Sequence, residues 1–401
     1  MRKPSIRVLA ACCASFSLLS GCGIFGGDKD EELQPRELVD FQSTLPVDRL
    51  WEAKVGGGSE LLRITLKPSG NAERVYAASR DGNVTAFEPA TGARLWRSEL
   101  KLPLSAGPGF GRDRVVVASS DGFLVCLDAD DGREIWRTFV AGESLAPPLV
   151  QGDSVVAYTI DGRLSVHSLY NGRERWTLEQ PLPPLTLRGS APPVIVGTTV
   201  VAGFDNGRLI ASGLGDGTTR WEVMLSPPTG RSDLERLSDI DGTLATVGQD
   251  VYATAYQGQL AALAAESGQI LWTREISTHV GLTADAENLY VVSEAGELIA
   301  LRRTNGSELW RHDLLLRRDP TAPVAFMDTV VVGDLEGYVH FFNKADGAPV
   351  ARVRVGKGML SAPPTVIDGR LYVQSESGRL AAFEIEMPEV ETTAGNADQS
   401  T

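Results

Sequence analysis

The chain has 401 residues, 42% of them hydrophobic, with 38 basic against 52 acidic side chains and a net charge of −14. The opening stretch carries Arg2, Lys3 and Arg7 and no acid before Asp28, so the remainder of the chain is more acidic still. That balance speaks against a nucleic-acid partner, which needs a basic field.

Taken in chain order, the first element is a secretory signal over residues 1–21, with three basic residues ahead of an apolar run from Val8 to Leu19. The run is too short to span a bilayer and is expected to be removed. Leu19-Ser20-Gly21-Cys22 then sets small side chains, which fit a protease cleft, directly before a thiol, which can accept an acyl chain. It resembles the lipobox of bacterial lipoproteins, which implies an acylated Cys22 and a firm membrane anchor, since two or more chains make binding stable. The bland alternative is an ordinary signal with a coincidental cysteine. In lipoproteins Asp after the cysteine favours the inner membrane; Gly23 stands here, implying the periplasmic face of the outer membrane. Cys12 and Cys13 leave with the signal, so Cys126 is expected to be a buried structural thiol. Residues 22–45 read as the acylated N-terminus and a flexible tether.

From residue 46 onward a fixed period dominates. Thr91-Gly92-Ala93-Arg94-Leu95-Trp96, Asp131 to Trp136 and Asn171 to Trp176 match one another, and Asp216 to Trp221, Ser267 to Trp272 and Asn305 to Trp310 follow. A seventh copy, Asp346 to Ala351, keeps the turn and lacks the indole. Each is preceded by an earlier turn pair, such as Asp121-Gly122 or Asn206-Gly207, and by alternating apolar runs. Four short strands per unit of roughly 40 residues, joined by glycine turns, describe a propeller blade. The fold class predicted is therefore all-β, an eight-bladed β-propeller of four-stranded antiparallel blades over residues 46–386. The last unit ends after its third strand, and Leu50-Trp51-Glu52 resembles the missing fourth, so the N-terminal strand is expected to complete blade eight and remove open edges. Residues 387–401 read as a disordered acidic tail.

Chemistry is sparse. Tryptophans recurring at the repeat period point to packing between sheets in place of an aromatic binding surface. His167, His279, His312 and His340 fall in different blades without metal-ligand spacing, and no P-loop, dinucleotide fingerprint or Gly-x-Ser-x-Gly elbow is present. No catalytic, cofactor or metal site is expected. Ala86 to Trp96 resembles the PQQ-like repeat, shared with quinoprotein dehydrogenases, so a periplasmic quinone-dependent enzyme is the rival from another class. Those enzymes typically use an adjacent-cysteine disulfide, and the one Cys-Cys pair here is in the signal.

Spacing locates the surplus chain. Trp136 and Trp176 lie 40 residues apart, Trp176 and Trp221 45, Trp221 and Trp272 51. Loops beyond the minimal blade are those folding does not require, and both of these should lie on one rim. The first holds Pro183-Pro184-Leu185-Thr186-Leu187-Arg188-Gly189; the second, Ser232 to Asp241, suits a short helix followed by paired carboxylates. Exposed leucines with flanking charge suit an interface centre; alternatively Leu185 and Leu187 tuck under and Arg188 pairs with Asp239 or Asp241. The lipobox, the eight PQQ-like blades and the two loops together resemble the BamB family of outer-membrane protein assembly lipoproteins. That resemblance implies a non-catalytic scaffold whose Leu185, Leu187, Arg188, Asp239 and Asp241 bind a periplasmic POTRA domain of BamA within the Bam complex. Strand edges presented to nascent outer-membrane β-barrel proteins for β-augmentation are a separate expectation; a generic adaptor with another partner is the remaining alternative.

Overall fold

Unbroken apolar runs survive in strands only when both faces are covered, and Ser154–Thr159 and Thr199–Gly203 are buried at every position. A computed structural model describes residues 34–59, 62–189, 191–228 and 231–386. The signal, Cys22 and the tail lie outside the described residues. Among those described there are 32 strands and no helix, arranged as eight four-stranded antiparallel sheets.

Blades 1 to 7 follow one another over residues 69–99, 104–139, 149–179, 194–224, 245–274, 282–312 and 324–354. Blade 8 takes three strands from Thr365–Ile367, Arg370–Gln374 and Arg379–Ile385, and its fourth from Val47–Lys54. Val47 faces Ile385 and Lys54 faces Arg379 across that antiparallel pair, so the expected closing strand is the one found. Eight apolar clusters each draw on two neighbouring blades. The cluster of Trp51, Val75 and Tyr372 joins blade 8 to blade 1 and completes the ring.

Packing between blades depends on the repeated tryptophan. In every blade the ladder between the third and fourth strands skips one residue next to the indole position, Leu95 in blade 1, Arg175 in blade 3 and Leu50 in blade 8. Such a bulge adds twist and re-aims a side chain. The indole turns inward and the residue before it stays outside, as Leu95 and Leu271 do. Each indole then donates to a turn carbonyl of the next blade: Trp51 to Pro89 at 2.8 Å, Trp96 to Ala129 at 2.9 Å, Trp221 to Ala265 at 2.7 Å. The same turn presents its glycine to the ring. At Gly92, φ is +70° and a Cβ would lie 2.5 Å from Trp51 Cδ2, so both the backbone conformation and the contact require glycine.

Blade 7 carries Ala351 where the indole would be. Its neighbour, blade 8, has no turn between third and fourth strands, because those strands come from opposite ends of the sequence. There is neither carbonyl nor glycine for an indole to meet. Leu45 and Val47 instead pack into the cluster containing Ala351, and Thr44 N–H donates to the Val350 carbonyl at 2.9 Å. Residues 36–45, the latter part of the stretch read as a tether, lie against blade 7 and the loop before it. Arg36 pairs with Asp313 at 2.5 Å, and Arg352 donates to the Val39 carbonyl at 3.0 Å and stacks on Phe41.

Candidate functional site

The two surplus loops follow the fourth strands of blades 3 and 4 and lead into the first strands of blades 4 and 5, Val194–Val196 and Ala245–Val247. Gln180 N–H donates to the Gly162 carbonyl and Leu225 N–H to the Gly207 carbonyl, each at 2.9 Å. Both loops thus start beside the turns between second and third strands, on one rim. The second loop is nailed down by Ile240, which is fully buried in the cluster between blades 4 and 5. Ile240 leans on Gly203, where a Cβ would collide with its Cγ2.

The stretch suited to a short helix forms turns instead. Ser232 Oγ accepts from Glu235 N–H and the Glu235 carboxylate accepts from Ser232 N–H, each at 3.2 Å, a capping-box arrangement. After one turn, however, burial of Leu237 and Ile240 pulls the backbone into the ring, and the helix cannot propagate.

The first loop rests on the second. Asp239, wholly buried, accepts the Leu187 N–H through its carboxylate, while its carbonyl accepts Tyr256 N–H at 2.9 Å. Asp241 lies beneath Gly189, whose Cβ would be 2.7 Å from its Oδ2. Leu185 is 43% exposed and Leu187 half-buried, so the two leucines divide between the alternatives: one is displayed, one leans inward. Arg188 pairs with neither Asp239 nor Asp241. Those carboxylates are sealed below the loop, and the guanidinium reaches across the rim to Glu143 at 3.0 Å and to the Leu62 carbonyl at 2.7 Å.

A third carboxyl joins the pair. Asp205, buried beside the Asn206-Gly207 turn and hydrogen-bonded by Tyr158, is pushed up to about 7 by burial and by the nearby Asp239. Burial raises Asp239 to about 6 against the hydrogen bond from Leu187, and burial with both neighbouring acids holds Asp241 well above the usual carboxylate range. Among the described residues, both Asp241 oxygens and Asp239 Oδ1 are buried without a hydrogen-bond partner. The acids are thus internal supports of the loops, and the side chains the loops expose are Leu185, Leu234 and Arg188. Sequence reasoning missed Asp205, Glu143 and Leu62. Asp205 reads there as turn chemistry, and the only trace it leaves is the doubled polar residue before Gly207.

Elsewhere two of the four histidines are held by neighbouring side chains. His340 meets the buried Asp334 at 3.0 Å and His167 the Ser165 hydroxyl at 2.9 Å. Burial raises the Cys126 thiol to about 12, which leaves it unreactive. Among the described residues no group of three or more His, Cys, Asp or Glu side chains could hold a metal ion.

Comparison with known proteins gives this rim a family setting. A family model described as outer membrane protein assembly factor BamB matches residues 80–312 and 303–390. Proteins named outer membrane protein assembly factor BamB from Pseudomonas aeruginosa and Escherichia coli are 43% and 35% identical. The first match covers 94% of this chain and 98% of the relative, the second 93% and 97%. The crystal structure of BamB from Moraxella catarrhalis aligns with a TM-score of 0.77 at 29% identity, over 84% of this chain and 100% of that one. A quinohemoprotein alcohol dehydrogenase from Comamonas testosteroni shares the fold alone, with a TM-score of 0.66 at 13% identity over 86% of this chain and 78% of that one. The chain belongs to the BamB family of outer membrane protein assembly factors.

Proposed function

We propose that this chain is a non-catalytic scaffold of the outer-membrane β-barrel assembly machinery, binding a periplasmic POTRA domain of BamA through the rim of blades 4 and 5. An acylated Cys22 holds it at the periplasmic face of the outer membrane. The observation that carries the docking site is the support under the leucine loop. Asp239 fixes the Leu187 amide from below while Leu185 stays 43% exposed, so an apolar anchor is presented already ordered, and binding forfeits little conformational entropy. Nascent barrel chains would meet the exposed fourth-strand edges by strand addition.

Titration of purified BamA POTRA domains tests the site. Leu185→Ala, Leu187→Ala and Arg188→Glu, each checked for native circular dichroism, are expected to weaken binding about tenfold or more, the effect of losing a central anchor. Unchanged affinity in all three would sink the docking site.

A further inference from the structure

Arg188 is half-exposed at the rim, yet both of its terminal nitrogens are already engaged. One terminal nitrogen lies 3.0 and 3.1 Å from the two Glu143 oxygens, and the other donates to the Leu62 carbonyl at 2.7 Å. Glu143 is the better-fixed partner, with its side chain only 15% exposed against 49% for Arg188. Its carbonyl accepts Ile160 N–H at 2.9 Å. The next residue, Ser144, is fully buried, donates to the Tyr158 carbonyl at 2.7 Å and accepts from Ser105 Oγ through its own carbonyl at 2.7 Å. Glu143 therefore stands on the blade 2–3 framework as a rigid post.

The carbonyl on the other side of Arg188 is held too. Leu62 belongs to the segment between the closing strand and blade 1, where Gly57 N–H donates to Asp81 at 2.9 Å and Ser59 N–H to the Glu376 carbonyl at 2.8 Å. Arg63, beside Leu62, pairs with Asp319 at 2.5 Å in the loop before blade 7. One guanidinium thus ties the leucine loop to two supports belonging to other blades.

Building on the docking site above, we propose that Glu143 is its positioning residue. It holds Arg188, together with the Leu62 carbonyl, so that the segment 185–188 stands out over the rim. Arg188 then serves docking by fixing the loop, not by pairing with an acid of the partner.

Two measurements test this. In the isolated full chain, hydrogen exchange at the amides of residues 185–189 is expected to quicken about fivefold in Glu143→Gln, the upper range for a partly exposed ion pair; unchanged exchange overturns the proposal. In titrations with the POTRA domains, Glu143→Gln is expected to lose as much affinity as Arg188→Gln, and the double variant no more than either. The charge-swapped Glu143→Arg/Arg188→Glu protein should bind more tightly than Arg188→Glu alone. Full affinity in Glu143→Gln, or a swap as weak as Arg188→Glu, would show that Arg188 meets the partner directly and overturn the assignment. If the native chain does not bind POTRA domains at all, the partner assignment falls by itself and the exchange result decides the role of Glu143.

Discussion

Asp239 meets two opposed demands. Its carboxylate is the acceptor that orders Leu187, and its burial beside Asp205 and Asp241 disfavours the charge that makes it a good acceptor. With Asp239 at about 6 and Asp205 at about 7 in the fold, against about 3.9 in an unfolded chain, the folded state holds protons that the unfolded state releases. Stability from these groups is greatest below about pH 4, falls as pH rises through the window from 4 to 7, and levels off above it. Asp239→Asn keeps the shape and removes the titration. Its melting temperature is expected to fall less than the native one between pH 5 and pH 8, by about 1–2 °C per kcal/mol of lost linkage; parallel curves in thermal denaturation would contradict this. At this scale the sequence was only partly legible. Surplus spacing picked out both loops, but the partner of Arg188 lies 45 positions away in another blade's loop, and only ring geometry brings it near. Pairing with the sequence-local acids Asp239 and Asp241 looked equally reasonable until burial removed them.

The blade was more legible than the site because its signal repeats. Tight turns and alternating apolar runs marked four strands per unit, and the truncated last unit pointed to Trp51. The bulge before each indole left no mark, since the skipped residue varies from Leu95 to Arg175. Nor was there a sequence reason for the missing seventh indole, which is explained by the absence of a turn in blade 8. That explanation makes Ala351→Trp informative. Ala351 is 3% exposed and its surroundings are filled by Leu45 and Val47, so restoring the repeat residue is expected to overpack the site and cost about 1–3 kcal/mol. Urea denaturation gives the value, and a stabilised variant would show that the indole was lost for another reason.

For the whole molecule, the pairing of Val47–Lys54 with Arg379–Ile385 separates a closed ring from an open array. Deleting residues 47–54 bares a third strand in which residues 380–383, Leu-Ala-Ala-Phe, are all buried in the intact ring. Unpaired apolar edges recruit other chains, so size-exclusion chromatography is expected to show oligomers where the intact chain runs as one species; a monodisperse monomer would argue that blade 8 holds closed with three strands. The same seam sets an order of events in time. A chain made from its N-terminus has residues 47–54 at the outset and their partner only near the end. At typical synthesis rates the wait is on the order of tens of seconds. The first strand to emerge is therefore the last to find its place, and the interval in which this protein needs shelter from its neighbours is set by delivery of the whole chain and not by the speed of strand pairing.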